Sequence, residues 1–147
     1  MSGFRRPESV LVIVYTDDLD ILLLKRNDPF EFWQSVTGSL EAGETPADAA
    51  AREIAEETGL ASGDRLADAG RQRVFQIDPR WLDRYAPRIT ENLEYEWHYR
   101  LDAPVDVQVN PAEHDEWAWV PIDEAIERVW SWTNREALEA LRSVATP

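Results

Sequence analysis

Glu53, Glu56 and Glu57 are the residues whose type and spacing first suggest chemistry. Residues three and four apart are neighbours on a helix surface. If the segment around them is helical, the three carboxylates project from one side of its last turns. Like charges at this spacing repel, and near a helix C-terminus the macrodipole disfavours anions as well. Local physics does not ask for such a cluster, whereas a divalent cation would offset its repulsion. Carboxylate oxygens without Cys or His suit magnesium, manganese or calcium rather than zinc. A solvated acidic face accounts for the three glutamates equally well. Arg52, one turn before Glu56, reads equally as a surface ion-pair partner.

A helix must hold these side chains, and its signals are present. Thr45 is a natural N-cap, Pro46 suits the first helical position and Gly59 suits the stop. Ala47, Ala50, Ala51, Ile54, Ala55 and Thr58 follow helical spacing and make a small, mostly apolar face for packing close to a sheet. Residues 9–15 (SVLVIVY) form a buried strand, Asp17 and Asp18 a turn, and residues 20–25 (DILLLK) the returning strand of a hairpin. Residues 33–37 (WQSVT) make a short third strand. Further strands are expected at 70–77, 92–101 and 116–121, and closing helices at 122–129 and 134–144. Thr133 to Glu136 read as a capping box for the last helix. The order predicts a mixed α/β (α+β) sandwich with the sheet between helices. A chain of 147 residues suits one domain, 1–147.

Composition narrows the chemistry. There is no cysteine, which excludes disulfides, thiolate catalysis and Cys-based zinc sites. The formal charge is −14, which argues against non-specific nucleic-acid binding. The stretch Met1 to Glu8 lacks the apolar run of a secretory signal, and no segment is apolar enough for a membrane span, so a cytoplasmic protein is expected. Seven tryptophans stand out. Trp33, Trp97, Trp117 and Trp119 fall on expected strands and read as core, the last two on one face; one or two tryptophans near a cleft could stack on a ring. His98 and His114 are too few for a histidine metal site, and His114 reads as a surface residue.

A longer pattern sets the glutamates in register. Gly38 is followed by five residues and Glu44, then seven residues and Arg52-Glu53-Ile54-Ala55-Glu56-Glu57-Thr58-Gly59-Leu60. This 38–60 segment resembles the Nudix box, G-x5-E-x7-R-E-U-x-E-E-x-G-U with U aliphatic, at every defined position. Gly38 would let the chain leave the third strand sharply, Glu44 would lie by the helix start where an anion is favoured, and Arg52 would anchor the loop or the glutamates. The resemblance implies a Nudix-type fold whose catalytic helix follows the third strand. It also implies a hydrolase in which Glu53, Glu56 and Glu57 bind magnesium, with manganese able to substitute, and water attacks a phosphoanhydride phosphorus in line.

Outside the box, Arg6-Pro7, FWQSVTGS at 32–39, RYAP at 84–87, Glu113-His114 and SWTNR at 131–135 resemble the bacterial dihydroneopterin triphosphate pyrophosphatases of folate biosynthesis. That resemblance makes Glu113 a further metal-binding carboxylate and a candidate general base. It makes Arg5, Arg26, Thr37, Phe75, Gln76, Ile77, Asp78 and Ser131 substrate contacts. Without it, Glu113 reads as a loop acid, Arg26 as a strand-end arginine, Phe75 and Ile77 as core, and Ser131 as a serine opening a helix. Phe30-Glu31 makes the loop before Phe32 one residue longer than expected. The expected partner is a pterin or nucleoside triphosphate, with neither nucleic acid nor membrane, and monomer and homodimer both stay open. Two rival readings remain: a dATP or (d)NTP pyrophosphatase of nucleotide housekeeping, and a non-catalytic nucleotide-binding module. The latter often loses box glutamates, and none is lost here.

Overall fold

The structure, a computed structural model, describes residues 3–114 and 116–145; Met1 and Ser2 of the first stretch read above lie outside them. β1 (Glu8–Thr16) and β2 (Asp20–Arg26) are the centre of a seven-stranded sheet. Both read as unbroken apolar runs because both faces are covered. Val10, Val12, Val14, Leu22 and Leu24 pack on one face under α1 (Pro46–Thr58). Leu11, Ile13, Ile21 and Leu23 pack on the other under α2 (Ile122–Arg128) and α3 (Trp132–Ala145). The sandwich is therefore the mixed architecture expected. None of the described helices is long and apolar enough to cross a membrane.

The expected third strand is two. β3 (Phe32–Gln34) pairs with β2, and β4 (Val36–Ser39) pairs with β1. β1 and β2 meet in register only at Tyr15 and Ile21, so they splay apart and this segment fills the opening. Ser35 is where the chain changes partner. Its N–H donates to Asn134 Oδ1 at 2.8 Å, and Asn134 Nδ2 donates to Ser35 Oγ at 3.0 Å. A buried asparagine of α3 thus pins the break that periodicity alone reads through.

β5 (Leu66–Gln76) and β6 (Glu91–Leu101) complete one side of the sheet, β6 running parallel to β1. β7 (Glu116–Pro121) flanks β2. Short 3-10 turns cover Gly63–Arg65 and Pro79–Arg84. Trp33, Trp97, Trp117 and Trp119 pack against the core, Trp117 and Trp119 on the same face. The cap of α3 differs from the expected one: Asn134 N–H donates to Ser131 Oγ, so the helix opens at Ser131, and Glu136 is turned to Arg73 instead.

Candidate functional site

α1 begins and ends as its sequence dictates. Thr45 and Asp48 form a reciprocal capping box, Pro46 opens the helix, and Gly59 closes it at φ +75°, a left-handed conformation that a Cβ would strain. The buried face is not the expected alanine stripe. Ala47 and Ala55 are exposed, and the face turned inward carries Ala49, Ala50, Glu53, Ile54, Glu57 and Thr58. Two glutamates are therefore packed into the fold: Glu53 is 7% exposed and Glu57 is 2% exposed, whereas Glu56 faces solvent. Buried carboxylates without compensation are unstable, so their partners matter.

Arg52 is the partner of the upper cluster. Its Nε and Nη2 grip Glu44 at 2.8 and 2.9 Å, its Nη2 also donates to Ser39 O at 2.9 Å, and its Nη1 reaches Glu53 at 2.7 Å and Glu56 at 3.2 Å. One guanidinium thus ties the 40–45 loop, β4 and two glutamates together, so both roles proposed for Arg52 are served. Glu44 is held below the usual carboxylate range by that grip. Glu53 is pushed up to about 7, because burial outweighs the Arg52 contact and Glu57 and Glu56 add like charge.

Gly38 has a different reason from the one its sequence position suggests. It lies inside β4, paired with Val10, and makes no sharp exit. A Cβ there would come within 2.1 Å of the Glu53 carboxyl carbon. Glycine is needed because a carboxylate occupies the space its side chain would fill.

The lower cluster gathers around Glu57. The turn at Asn110 brings Glu113 and His114 up to it, through Glu113 N–H and His114 N–H to Asn110 O at 3.0 and 2.9 Å. Gln108 N–H donates to Thr58 O, fastening this loop to the end of α1. His114 is 4% exposed, not a surface residue; its Nε2 lies against Glu57 Oε2, and its Nδ1 is buried without a hydrogen-bond partner. Candidate ligand atoms of Glu57, Glu113 and His114 lie within 4.8 Å of one another. Glu113 is pushed up to about 7, first by its hydrogen bond to Glu57 and then by burial. Burial raises Glu57, but His114 and Glu113 outweigh it and hold it below its ordinary value. The Glu57 and Glu113 carboxyls hydrogen-bond each other. Arg26 adds positive potential to both, and its buried Nε has no hydrogen-bond partner. A divalent cation suits such a donor set, since hard oxygens converge and carry like charge.

Across β4 lies a cavity of about 400 Å³. Arg5, Thr37, Ser131 and the segment Phe75, Gln76, Ile77 and Asp78 all line it, so these expected contacts are brought together. Arg26 is not among its lining residues and belongs with the acid cluster. Thr37 Oγ1 donates to Val10 O, and Ser131 caps α3 while facing the cavity. The loop with the additional residue backs the wall: Phe30 packs on Phe32, Trp81 and Trp130, which line the cavity, and the Arg80 guanidinium sits 4.0 Å over its ring.

Sequence reasoning missed His114, Trp81, Trp130, Asn92 and Glu94. The last two lie on β6, where Asn92, Glu94 and Glu96 alternate with Leu93, Tyr95 and Trp97. That alternation reads as polar residues facing water, yet those three polar residues are buried. Burial pushes Glu94 up to about 7, against a hydrogen bond from Thr133 and the charge of Arg73. A polar strand face beside a tryptophan-rich tail was the available signal.

The NUDIX domain family matches residues 5–141 of this chain. Over 140 residues the chain is 40% identical to a dihydroneopterin triphosphate diphosphatase of Escherichia coli, covering 92% of each chain. It is 37% identical over 145 residues to the enzyme of the same name from Haemophilus influenzae, covering 95% of this chain and 89% of that one. The solved E. coli dihydroneopterin triphosphate pyrophosphohydrolase superposes with a TM-score of 0.87 at 36% identity, over 95% of this chain and 97% of that one.

Proposed function

The chain belongs to the Nudix family, and from that premise we propose that it is a magnesium-dependent pyrophosphohydrolase that converts dihydroneopterin triphosphate to dihydroneopterin monophosphate and pyrophosphate. One observation carries the reading: the acid cluster and the aromatic cavity stand on either side of β4, and Gly38 touches both. A triphosphate whose ring enters the cavity has its phosphates within reach of the acids. The relatives' names support the pterin.

Glu57 and Glu113, with the box glutamates Glu53 and Glu56, would hold the metal, and His114 backs Glu57. When bound, a divalent cation screens the charge that grows on the bridging and non-bridging phosphate oxygens. Arg26 offers a guanidinium to the same phosphates. A carboxylate of the cluster takes the proton of the attacking water as its oxygen bonds to phosphorus and the bridging P–O bond breaks. We assign that role to Glu113, which is exposed as Glu56 is and would be a metal ligand as well.

The test is direct. Purified protein is incubated with magnesium and, in parallel, dihydroneopterin triphosphate and each common dNTP, with and without EDTA, and products are resolved by ion exchange. Monophosphate plus pyrophosphate, formed fastest from the pterin and abolished by EDTA, is expected. Faster cleavage of dATP would move the protein to nucleotide housekeeping, and no cleavage at all would favour a binding module. Glu57→Gln is expected to lower kcat by roughly a thousandfold or more, as loss of metal-borne charge stabilisation implies; turnover within a few-fold of the parent would remove the catalytic reading.

A further inference from the structure

The cavity holds two acceptor atoms that nothing among the described residues satisfies. Glu94 is 6% exposed and Asn92 is 1% exposed, and both line the cavity. Glu94 Oε1 and Asn92 Oδ1 are buried without a hydrogen-bond partner. Their neighbours are already committed. Asn92 Nδ2 donates to Ser9 Oγ at 2.8 Å. Arg73, whose charge acts on Glu94, donates to Glu96 at 2.7 Å and Glu136 at 2.8 Å. Thr133 hydrogen-bonds the Glu94 carboxyl but leaves Oε1 open. An unpaired buried acceptor costs roughly 1–3 kcal/mol, and native structures rarely keep two side by side without a use.

Residues two apart on a strand face the same way, about 7 Å apart. The walls around this pair are flat and apolar: Phe32, Phe75, Trp81 and Trp130 line the same cavity. Such a site takes a planar ring between its aromatic walls and, along this strand, meets the ring edge with two open acceptors.

We propose that Glu94 is the specificity-determining residue of the cavity, its carboxylate accepting the adjacent amino and ring N–H groups of a 2-amino-4-oxo heterocycle, with Asn92 Oδ1 accepting a further donor of the same ligand. A pterin carries that edge, and so does guanine. Adenine presents one amino donor beside a ring nitrogen that is itself an acceptor, and that nitrogen would face the carboxylate unpaired. The inference deepens the pterin reading of the same site and rests on it for the triphosphate.

The experiment separates ring recognition from hydrolysis. Neopterin, guanosine and adenosine, none carrying phosphate, are titrated at pH 8 against wild type and Glu94→Gln, with quenching of tryptophan emission as readout. In wild type, neopterin and guanosine are expected to bind about 30-fold tighter than adenosine, the scale of a hydrogen bond to a charged group. Glu94→Gln is expected to lose that margin, with adenosine unchanged or tighter, because the amide supplies a donor. Adenosine binding as tightly as guanosine to wild type would overturn the inference without any variant. So would an equal loss of all three ligands in Glu94→Gln, the mark of a structural role.

Kinetics keep the two readings distinguishable. If dihydroneopterin triphosphate is cleaved and Glu94→Gln leaves its KM unchanged, the inference fails and the proposed function stands. If it is not cleaved but neopterin binds in a Glu94-dependent way, the inference stands and the substrate assignment fails.

Discussion

The two sides of β4 bury their carboxylates in different ways. On the α1 side, Glu53 and Glu57 are enclosed against partners from the same chain, Arg52 for Glu53 and His114 and Glu113 for Glu57, and the nitrogens His114 Nδ1 and Arg26 Nε are left open there. On the α3 side, Glu94 and Asn92 are enclosed among aromatic rings with an acceptor atom on each left open. Charges that face a chemical step must be held still, which takes internal partners and leaves little freedom. Atoms that select a ring must stay unpaired until the ring arrives, which makes the empty site costly and the choice sharp. A single strand separates these strategies, and substitutions on either side of it put the comparison to the test.

Among substitutions that test this comparison, the largest effect is expected at the strand itself. In Gly38→Ala the new Cβ would overlap the Glu53 carboxyl group, 2.1 to 2.6 Å from three of its atoms. Glu53 must move, and Arg52 with it, since the two are joined at 2.7 Å. Displacement of a catalytic group by about 1 Å costs on the order of 100-fold in rate, so kcat is expected to fall at least that far. Ring binding on the other side should persist, because the methyl group points toward Glu53. Loss of neopterin affinity together with activity would show that β4 does not insulate the two sides.

A smaller effect is expected from the unpaired side in stability. The folded-state carboxyl of Glu94 is raised to about 7 by burial, from an ordinary value of 4.5. A raised acid favours the protonated fold, so its stabilising contribution is fully present below pH 4.5 and is lost as pH rises through 7. By linkage the loss is on the order of 3 kcal/mol. Glu94→Gln, which stays neutral, should therefore unfold in urea at a more nearly constant midpoint between pH 5 and 8, and at pH 8 should be more stable than wild type. A parallel pH dependence in the two proteins would show that Glu94 is not held neutral by its surroundings.

What the sequence revealed divides along the same line. The α1 side was legible because its chemistry is local: an N-cap threonine, an opening proline, a closing glycine and glutamates at helical spacing lie within residues 38–60. Arg5, Thr37, Phe75 and Ser131 came from resemblance, and the structure does gather them at one cavity. The rest depended on contacts distant in sequence. Ser35 breaks the third strand because Asn134, 99 residues away, fixes it. Gly38 is glycine because of a side chain fifteen positions on, not because of a turn. The polar face of β6 drew no reading, because periodicity reports which residues share a face, not what covers it.

The smallest of these effects is expected at Arg52, and it probes whether the paired side needs geometry or only charge. Lysine would keep the positive charge beside Glu44, Glu53 and Glu56. It could not keep the two-nitrogen grip on Glu44 while also reaching Ser39 O and Glu53, since one ammonium replaces a planar fork. If charge alone steadied the cluster, Arg52→Lys would be almost silent. If the fork sets the position of the 40–45 loop relative to the helix, kcat should fall about 10-fold, the lower range for groups that orient metal-binding residues. KM for the triphosphate should change less, because the ring side is untouched. The magnesium concentration for half-maximal rate gives the decisive reading: it should rise in Arg52→Lys as Glu53 and Glu56 lose their common anchor, whereas a merely looser fold would lower kcat and leave the magnesium requirement where it was.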